Sequence, residues 1–353
     1  MLIHAGRDAK GDDDSRHDEH DGSYGVIYVN SGQSIQQALN TCGPGATVVV
    51  GPGTYFEQLE ITKDGTTLVG NGAVLVPPNV TTPNDCSGRF GPDEQGNARQ
   101  AGICITSSDL VLSDFVSEHQ KVQTVGKPVK DVTVTGFEVG FFSGANIVVY
   151  GGENVQIRKN TLTNSFWYGA LSAGSKDTTI ADNTISSSQY GGFIDVCVDD
   201  FSGAKVVGNT ISDDYIGICI QTPGAQIKQN KVSNTCIGAF VDPGVDGAKV
   251  HDNEFDLYKA PSFCFGGISG IQIQGAVNAV VRQNHIAGYK NDSFGYVTGL
   301  LLNDDAKGKA TGNVIKHNTF TDNKLDIWNN STGSGNVFLQ NSCTTSTPGG
   351  LCA

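Results

Sequence analysis

Between positions 154 and 341 the hydrophobic and polar residues repeat one short phrase: apolar–x–apolar–x–x–Asn, then a small polar residue and another apolar one. The phrase returns eight times, on Asn160, Asn183, Asn209, Asn230, Asn253, Asn284, Asn318 and Asn341, at intervals of 23, 26, 21, 23, 31, 34 and 23 residues. Ahead of the asparagines stand Val155 with Ile157, Thr178 with Ile180, Val206, Ile227, Val250, Val281, Ile315 and Phe338; after them come Leu162, Ile185, Ile211, Val232, Phe255, Ile286 and Phe320. A glycine then opens a further apolar run, at Gly169, Gly191, Gly217, Gly238, Gly270 and Gly299. Alternation with period 2 predicts strands, because successive side chains point to opposite faces of a pleated chain. No i, i+3, i+4 stripe is long enough for a helix in this region. Repeats of this length predict a solenoid, and three short strands per repeat predict one coil of a parallel β-helix. The asparagine suits a sharp corner, since Asn tolerates the left-handed conformation. Its amide can also bond to the same amide one coil away, at ~4.8 Å.

On these asparagine- and glycine-marked coils the chain resembles the right-handed parallel β-helix, or pectate-lyase-like, superfamily. The resemblance runs from Val26 onward. It implies an all-β solenoid with an asparagine ladder in the turn between the second and third sheets. It also implies that the glycine-led strand and its flanking loops form the active face. Residues 1–25, with Asp12-Asp13-Asp14 and His17-Asp18-Glu19-His20-Asp21, read as a disordered, solvated acidic lead. Residues 26–353 read as one β-helix domain. Ser34 predicts the start of a short helix through Asn40 with Ile35, Ala38 and Leu39 on one side. Such an N-terminal capping helix covers the open first coil, which otherwise exposes core and unpaired strand edge.

Three stretches break the rhythm. Residues 77–102 form a long Pro-, Gly- and Asn-rich loop that Cys86 is expected to tie down. Residues 117–130 read as irregular. Insertions at 257–269 and 288–298 account for the two long intervals and bring Tyr258, Phe263, Phe265, Tyr289, Phe294 and Tyr296 to one corner of the coil. Phe166-Trp167-Tyr168, Tyr190 and Tyr215 stand at the same corner of shorter coils, which predicts an aromatic wall along one edge.

Composition narrows the partners. A net charge of −13 argues against nucleic acid and anionic membrane surfaces. No apolar run approaches the ~18 residues of a membrane span. Nine cysteines and four Asn-x-Ser/Thr triplets, at Asn79, Asn291, Asn329 and Asn330, point to a secreted, monomeric glycoprotein. Cys343 with Cys352 reads as a C-terminal staple, Cys197, Cys219 and Cys236 fall on neighbouring coils, and an odd count leaves one thiol unpaired. Residues 1–25 carry no apolar core of a signal peptide.

Candidate chemistry lies in outward columns. Counting from each glycine gives Ala173, Asp195, Gln221, Asp242, Gln274 and Asn303, preceded two residues earlier by Leu171, Phe193, Cys219, Phe240, Gln272 and Leu301. Asp195 and Asp242, two coils apart at ~9.6 Å, approach the spacing of an inverting glycosidase pair. Asp195 with Asp199 and Asp200 can also furnish oxygen ligands for calcium. A second column precedes the asparagine by two: Arg158, Ala181, Val207, Lys228, His251, Arg282, Lys316 and Leu339. Its stacked cations repel unless acids such as Asp252 or a polyanion offset them.

The leading reading is a secreted polysaccharide-active enzyme, a lyase or related uronate-modifying enzyme on an acidic polysaccharide. Calcium or the amides Gln221 and Gln274 neutralise the uronate, His251 or Lys228 acts as base, and Tyr215 as acid. Phe193, Phe240, Tyr190, Trp167, Arg282 and Lys316 complete the expected substrate contacts. Three readings stay open beside it: hydrolysis by Asp195 and Asp242, an isomerase or cyclase on a hydrophobic small molecule, and a non-catalytic secreted binding protein. The paired Asn-Thr-Asp and Gly-His-Gly signatures of polygalacturonases, the Arg-x-Pro-x-x-Arg of pectate lyases and the Asp-Pro-His-Asp of mannuronan epimerases are all absent.

Overall fold

The repeated phrase becomes a three-residue strand at every coil. Gln156–Arg158 pairs in parallel with Thr179–Ala181, and the ladder continues through Lys205–Val207, Gln226–Lys228, Lys249–His251, Val280–Arg282 and Val314–Lys316. A computed structural model describes residues 25–115, 118–187, 192–290 and 293–352. Among them the chain winds through three long parallel sheets: A with twelve strands, B with ten and C with eleven. Each coil takes one strand from A, then B, then C, giving a right-handed parallel β-helix. The disordered lead expected at 1–25 falls, apart from Gly25, outside the described residues.

Because pairing is parallel and in register, like residues stack on like. Ile157, Ile180, Val206, Ile227, Val250, Val281 and Ile315 line the inside of sheet A, all fully buried. Ile185, Ile211, Val232, Phe255 and Ile286 do the same in sheet B. Val196, Ile218, Ala239, Ile271 and Leu300 do so in sheet C. Each large apolar side chain so buried contributes roughly 1.5–3 kcal/mol.

All eight predicted asparagines form one internal ladder between sheets A and B. Seven side-chain bonds of 2.9–3.1 Å link each amide to the carbonyl oxygen of the next asparagine. One expectation about this corner needs correcting: the left-handed residue is the one before the asparagine. Lys159, Asp182, Gln229, Asp252, Gln283, His317 and Gln340 have φ between 50° and 58°, and Gly208 fills the same place in its coil. The reversed backbone there turns the following amide inward, where its side chain and backbone N–H both bond to neighbouring coils.

The cap is the helix Ile35–Thr41, with Ser34 as N-cap and Ile35, Ala38 and Leu39 buried. Glu57 accepts from the Ser34 hydroxyl at 2.8 Å and the Ile35 and Gln36 amides at 2.9 and 3.0 Å, satisfying the first turn's free donors. Four disulfides, Cys86–Cys104, Cys197–Cys219, Cys236–Cys264 and Cys343–Cys352, tie the long loop, two neighbouring coils, an insertion and the C-terminus. Cys42 is the unpaired, buried thiol. No helix among the described residues is long and apolar enough to cross a membrane.

The second irregular stretch is in fact one arm of an antiparallel hairpin, Leu110–Phe115 with Gln120–Val125. Its apolar residues Leu110, Leu112, Val122 and Val125 pack on the outside of sheet C, over Val148, Tyr150, Leu171 and Cys197. This makes a second hydrophobic core, outside the cylinder.

Candidate active site

On the outer face of sheet C, pairing sets the column as Tyr150, Ala173, Asp199, then Gln221, Asp242, Gln274 and Asn303. Five of the six residues read from the glycines stand there. The sixth does not: Asp199, not Asp195, lies between Ala173 and Gln221. Likewise Cys197, not Phe193, lies between Leu171 and Cys219. In that coil the glycine pair Gly191-Gly192 comes early in the sequence, and the position equivalent to Gly169 and Gly217 is occupied by Asp195 itself.

Asp195 is therefore an interior residue, fully buried, with no hydrogen-bond donor on either carboxyl oxygen among the described residues. It faces the equally buried Asp214. Burial pushes both carboxyls up, Asp195 well above its ordinary range and Asp214 to about 7, and the charge of Asp214 raises Asp195 further. Neither acid belongs to an outward-facing site.

The hairpin delivers what the column lacks. His119, fully buried, bridges the Tyr168 hydroxyl and the Asp199 carboxylate, each at 3.0 Å. Lys121 Nζ donates to Asp199 Oδ1 and to Gln221 Oε1, both at 3.1 Å, and Gln221 Nε2 donates to Glu118 Oε2 at 2.9 Å. Trp167 Nε1 donates to the Glu118 carbonyl at 2.8 Å, fixing that end of the arm. Glu118, Lys121, Gln221 and Asp242, with Pro243, Gly244, Val245 and Lys307, enclose a cavity of about 220 Å³.

Within it Asp242 is the perturbed group. Burial raises its carboxyl and the negative charge of Glu118 raises it further, while Gln221 and Lys121 oppose; the result is about 8. A carboxyl raised this far can keep its proton at neutral pH and donate it, and Glu118 lies beside it on the same cavity, its carboxylate accepting from Gln221.

The other predicted residues go elsewhere. Asp200 points away from Asp199: Ser172 donates to it at 2.7 Å and the Ser175 amide at 3.2 Å, and burial raises it to about 6. Asp195, Asp199 and Asp200 thus face three different ways and do not form the expected calcium site. No group of three His, Cys, Asp or Glu side chains among the described residues is placed to hold a metal. Lys228, His251, Arg282 and Lys316 do stack in one column as read, but on sheet A, and His251 Nδ1 lies 2.7 Å from Asp252 Oδ2. A different face of the cylinder separates them from Asp242, so neither His251 nor Lys228 can serve as its base.

Tyr215 stands at the opposite edge of sheet C, its hydroxyl donated to the Phe265 carbonyl at 3.1 Å. Six residue steps along the strand, from Tyr215 to Gln221, put it roughly 20 Å from the acid column, too far to act as acid there. It belongs instead to a stack running along the solenoid: Arg99 over Trp167 at 4.2 Å, Trp167–Phe193 at 4.6 Å, Phe193–Tyr215 at 5.9 Å and Tyr215–Phe265 at 4.4 Å. Tyr190 lies outside the described residues. Phe240 is half-buried on the floor beside Asp242. Gln274 joins a polar chain with Tyr296, Gln272 and Asp305 through bonds of 2.8, 2.9 and 3.1 Å.

Sequence reading missed Glu118, His119, Lys121 and Lys307. Leu110 and Leu112 alternate as in a strand, but Val122 and Val125 are three apart, and nothing local tells that the two segments pair or which sheet they cover.

In sequence, residues 89–259 match the family described as periplasmic copper-binding protein (NosD). No curated protein matches the chain. Among solved structures, ORF18 of Geobacillus virus E2 is similar with a TM-score of 0.50 at 11% identity, over 89% of this chain and 61% of that one. The present chain thus spans less than two thirds of that protein's length. The A-module of the Azotobacter vinelandii mannuronan C-5 epimerase AlgE6 gives 0.49 at 15% identity, over 88% and 93% of the two chains. The DFA-IIIase of Arthrobacter chlorophenolicus A6 gives 0.49 at 11%, over 89% and 80%. These likenesses concern the fold.

Proposed function

We propose that this protein is a polysaccharide-active enzyme of an oxidising, extracytoplasmic compartment, cleaving a uronate-containing chain at the outer face of sheet C. The observation that carries the reading is one cavity that brings together Asp242, a carboxyl raised to about 8 by burial and by Glu118, with Glu118, Lys121, Gln221 and Lys307. Two lysines converging on one cavity of a chain with net charge −13 suit an anionic sugar. Four disulfides suit the compartment.

Elimination follows from these groups. Lys121 and Lys307 pair with the uronate carboxylate and acidify the adjacent ring proton, which Glu118 removes. The electron pair forms a ring double bond, the bond to the leaving sugar oxygen breaks, and Asp242 protonates that oxygen. Hydrolysis is the second reading, favoured by the same two carboxyls on one cavity: Asp242, raised to about 8, as acid and Glu118 activating water.

A panel of uronans followed by absorbance of an unsaturated product tests elimination. Reducing ends without absorbance turn the assignment to hydrolysis. Loss of neither activity in Asp242→Asn removes the site from consideration.

A further inference from the structure

One column on the outer face of sheet C passes from dry to open along the solenoid axis. Tyr150 and Ala173 are fully buried, the Asp199 side chain is 13% exposed, Gln221, Asp242, Gln274 and Asn303 are half-buried, and Asn330 is exposed. The cause is the hairpin. A methyl group added at Gly174 would sit 2.2 Å from Val122, and one at Gly151 would sit 2.5 Å from Leu110, so no space remains between hairpin and sheet over those coils. The loop before it thickens the roof: Gln120 N–H donates to the Arg89 carbonyl at 2.8 Å, and Phe90 packs on Tyr168 at 6.0 Å. The roof ends at Glu118 and Lys121, on the wall of the cavity that holds Asp242.

We infer that this wall makes the enzyme exo-acting: it removes a small unit from one end of a polysaccharide instead of cutting within it. The inference rests on the function proposed above. A chain laid along the column from Asp242 towards Gln274 meets the turn Asp305–Gly308: Gln274 Nε2 donates to Asp305 Oδ2 at 3.1 Å, and a methyl group added at Gly275 would sit 2.9 Å from the Gly308 carbonyl oxygen. Beyond Asp242 in the other direction it meets a buried His119–Asp199 pair and close-packed Val122. The cavity between the wall and Lys307 is about 220 Å³, a size that suits one terminal sugar and not a continuing chain.

The test uses the intact protein and a uronan that it cleaves, in three forms: native, capped at the reducing end, and capped at the non-reducing end. The expected result is a single product of one or two sugars from the first turnover onward, with one of the caps slowing release by about tenfold or more. Early oligomers of mixed length, with neither cap having an effect, overturn the inference while leaving the function standing; the chain then crosses the groove between coils. Absence of cleavage on every polymer of the panel overturns the function itself, and the inference with it.

Discussion

Sheet A and sheet C carry outward columns built on the same coils, yet they differ in what lies over them. On sheet A the cations Lys228, His251, Arg282 and Lys316 follow one another in register, partly open to water, and the nearest acid to His251 is its sequence neighbour Asp252. On sheet C the column mixes Ala173, Asp199, Gln221 and Asp242, and a hairpin from elsewhere in the chain is laid across half of it. Of the two columns, the covered one carries the strongly raised carboxyl of Asp242, because burial, more than charge, sets how far a carboxyl departs from its ordinary value. The regular charge pattern lies on a face partly open to water, and the proposed site lies on the irregular, roofed one.

The sharpest way to break this contrast is on the roofed face. Asp242→Asn is expected to lower turnover about 100-fold or more, the usual worth of a general acid, while the unfolding midpoint at neutral pH does not fall, since the variant no longer buries an ionisable carboxyl. Full turnover by this variant would refute the comparison at its centre. The interior is expected to respond next most strongly, in stability instead of rate. Asn230→Ala removes the acceptor of the Asn209 amide and backbone N–H and a donor to Asn253. Each buried group left unpaired costs about 1–3 kcal/mol, and denaturant melts should show it. A neutral effect would contradict a continuous ladder.

The buried acids give a pH signature of intermediate size. Asp200, Asp214 and Asp242 are raised to about 6, 7 and 8, and Asp195 well above its ordinary range. In the folded protein these groups keep protons that the unfolded chain releases above pH ~4, so folding takes up protons. Stability should therefore fall as pH rises from about 4 towards 8, by about 1.4 kcal/mol per pH unit for each group still protonated. Melting curves across that window check the sign, and the double variant Asp195→Asn, Asp214→Asn should flatten them. A midpoint that climbs with pH would count against the buried pair. The smallest change is expected on sheet A: His251→Ala or Lys228→Ala should alter activity less than about twofold and stability by no more than about 0.5 kcal/mol, as for other surface positions.

The sequence by itself determined the solenoid. Inward residues at Ile157, Ile180 and Val206, the asparagine column and the capping helix all follow from short-range periodicity, since parallel in-register stacking repeats one local rule in every coil. It also determined the sheet A column and most of the sheet C column. Where a coil broke the local rule the reading slipped: an aspartate took the glycine position, and Asp195 was placed outside in the stead of Asp199. Tertiary structure alone decided the rest. That Leu110–Phe115 pairs with Gln120–Val125, and which face the hairpin covers, depend on close packing against Gly151, Gly174 and Tyr168, far away in sequence. That placement brings Glu118 and Lys121 to Asp242 and takes the water away, and desolvation is a property of the assembled surface that no window of the chain contains.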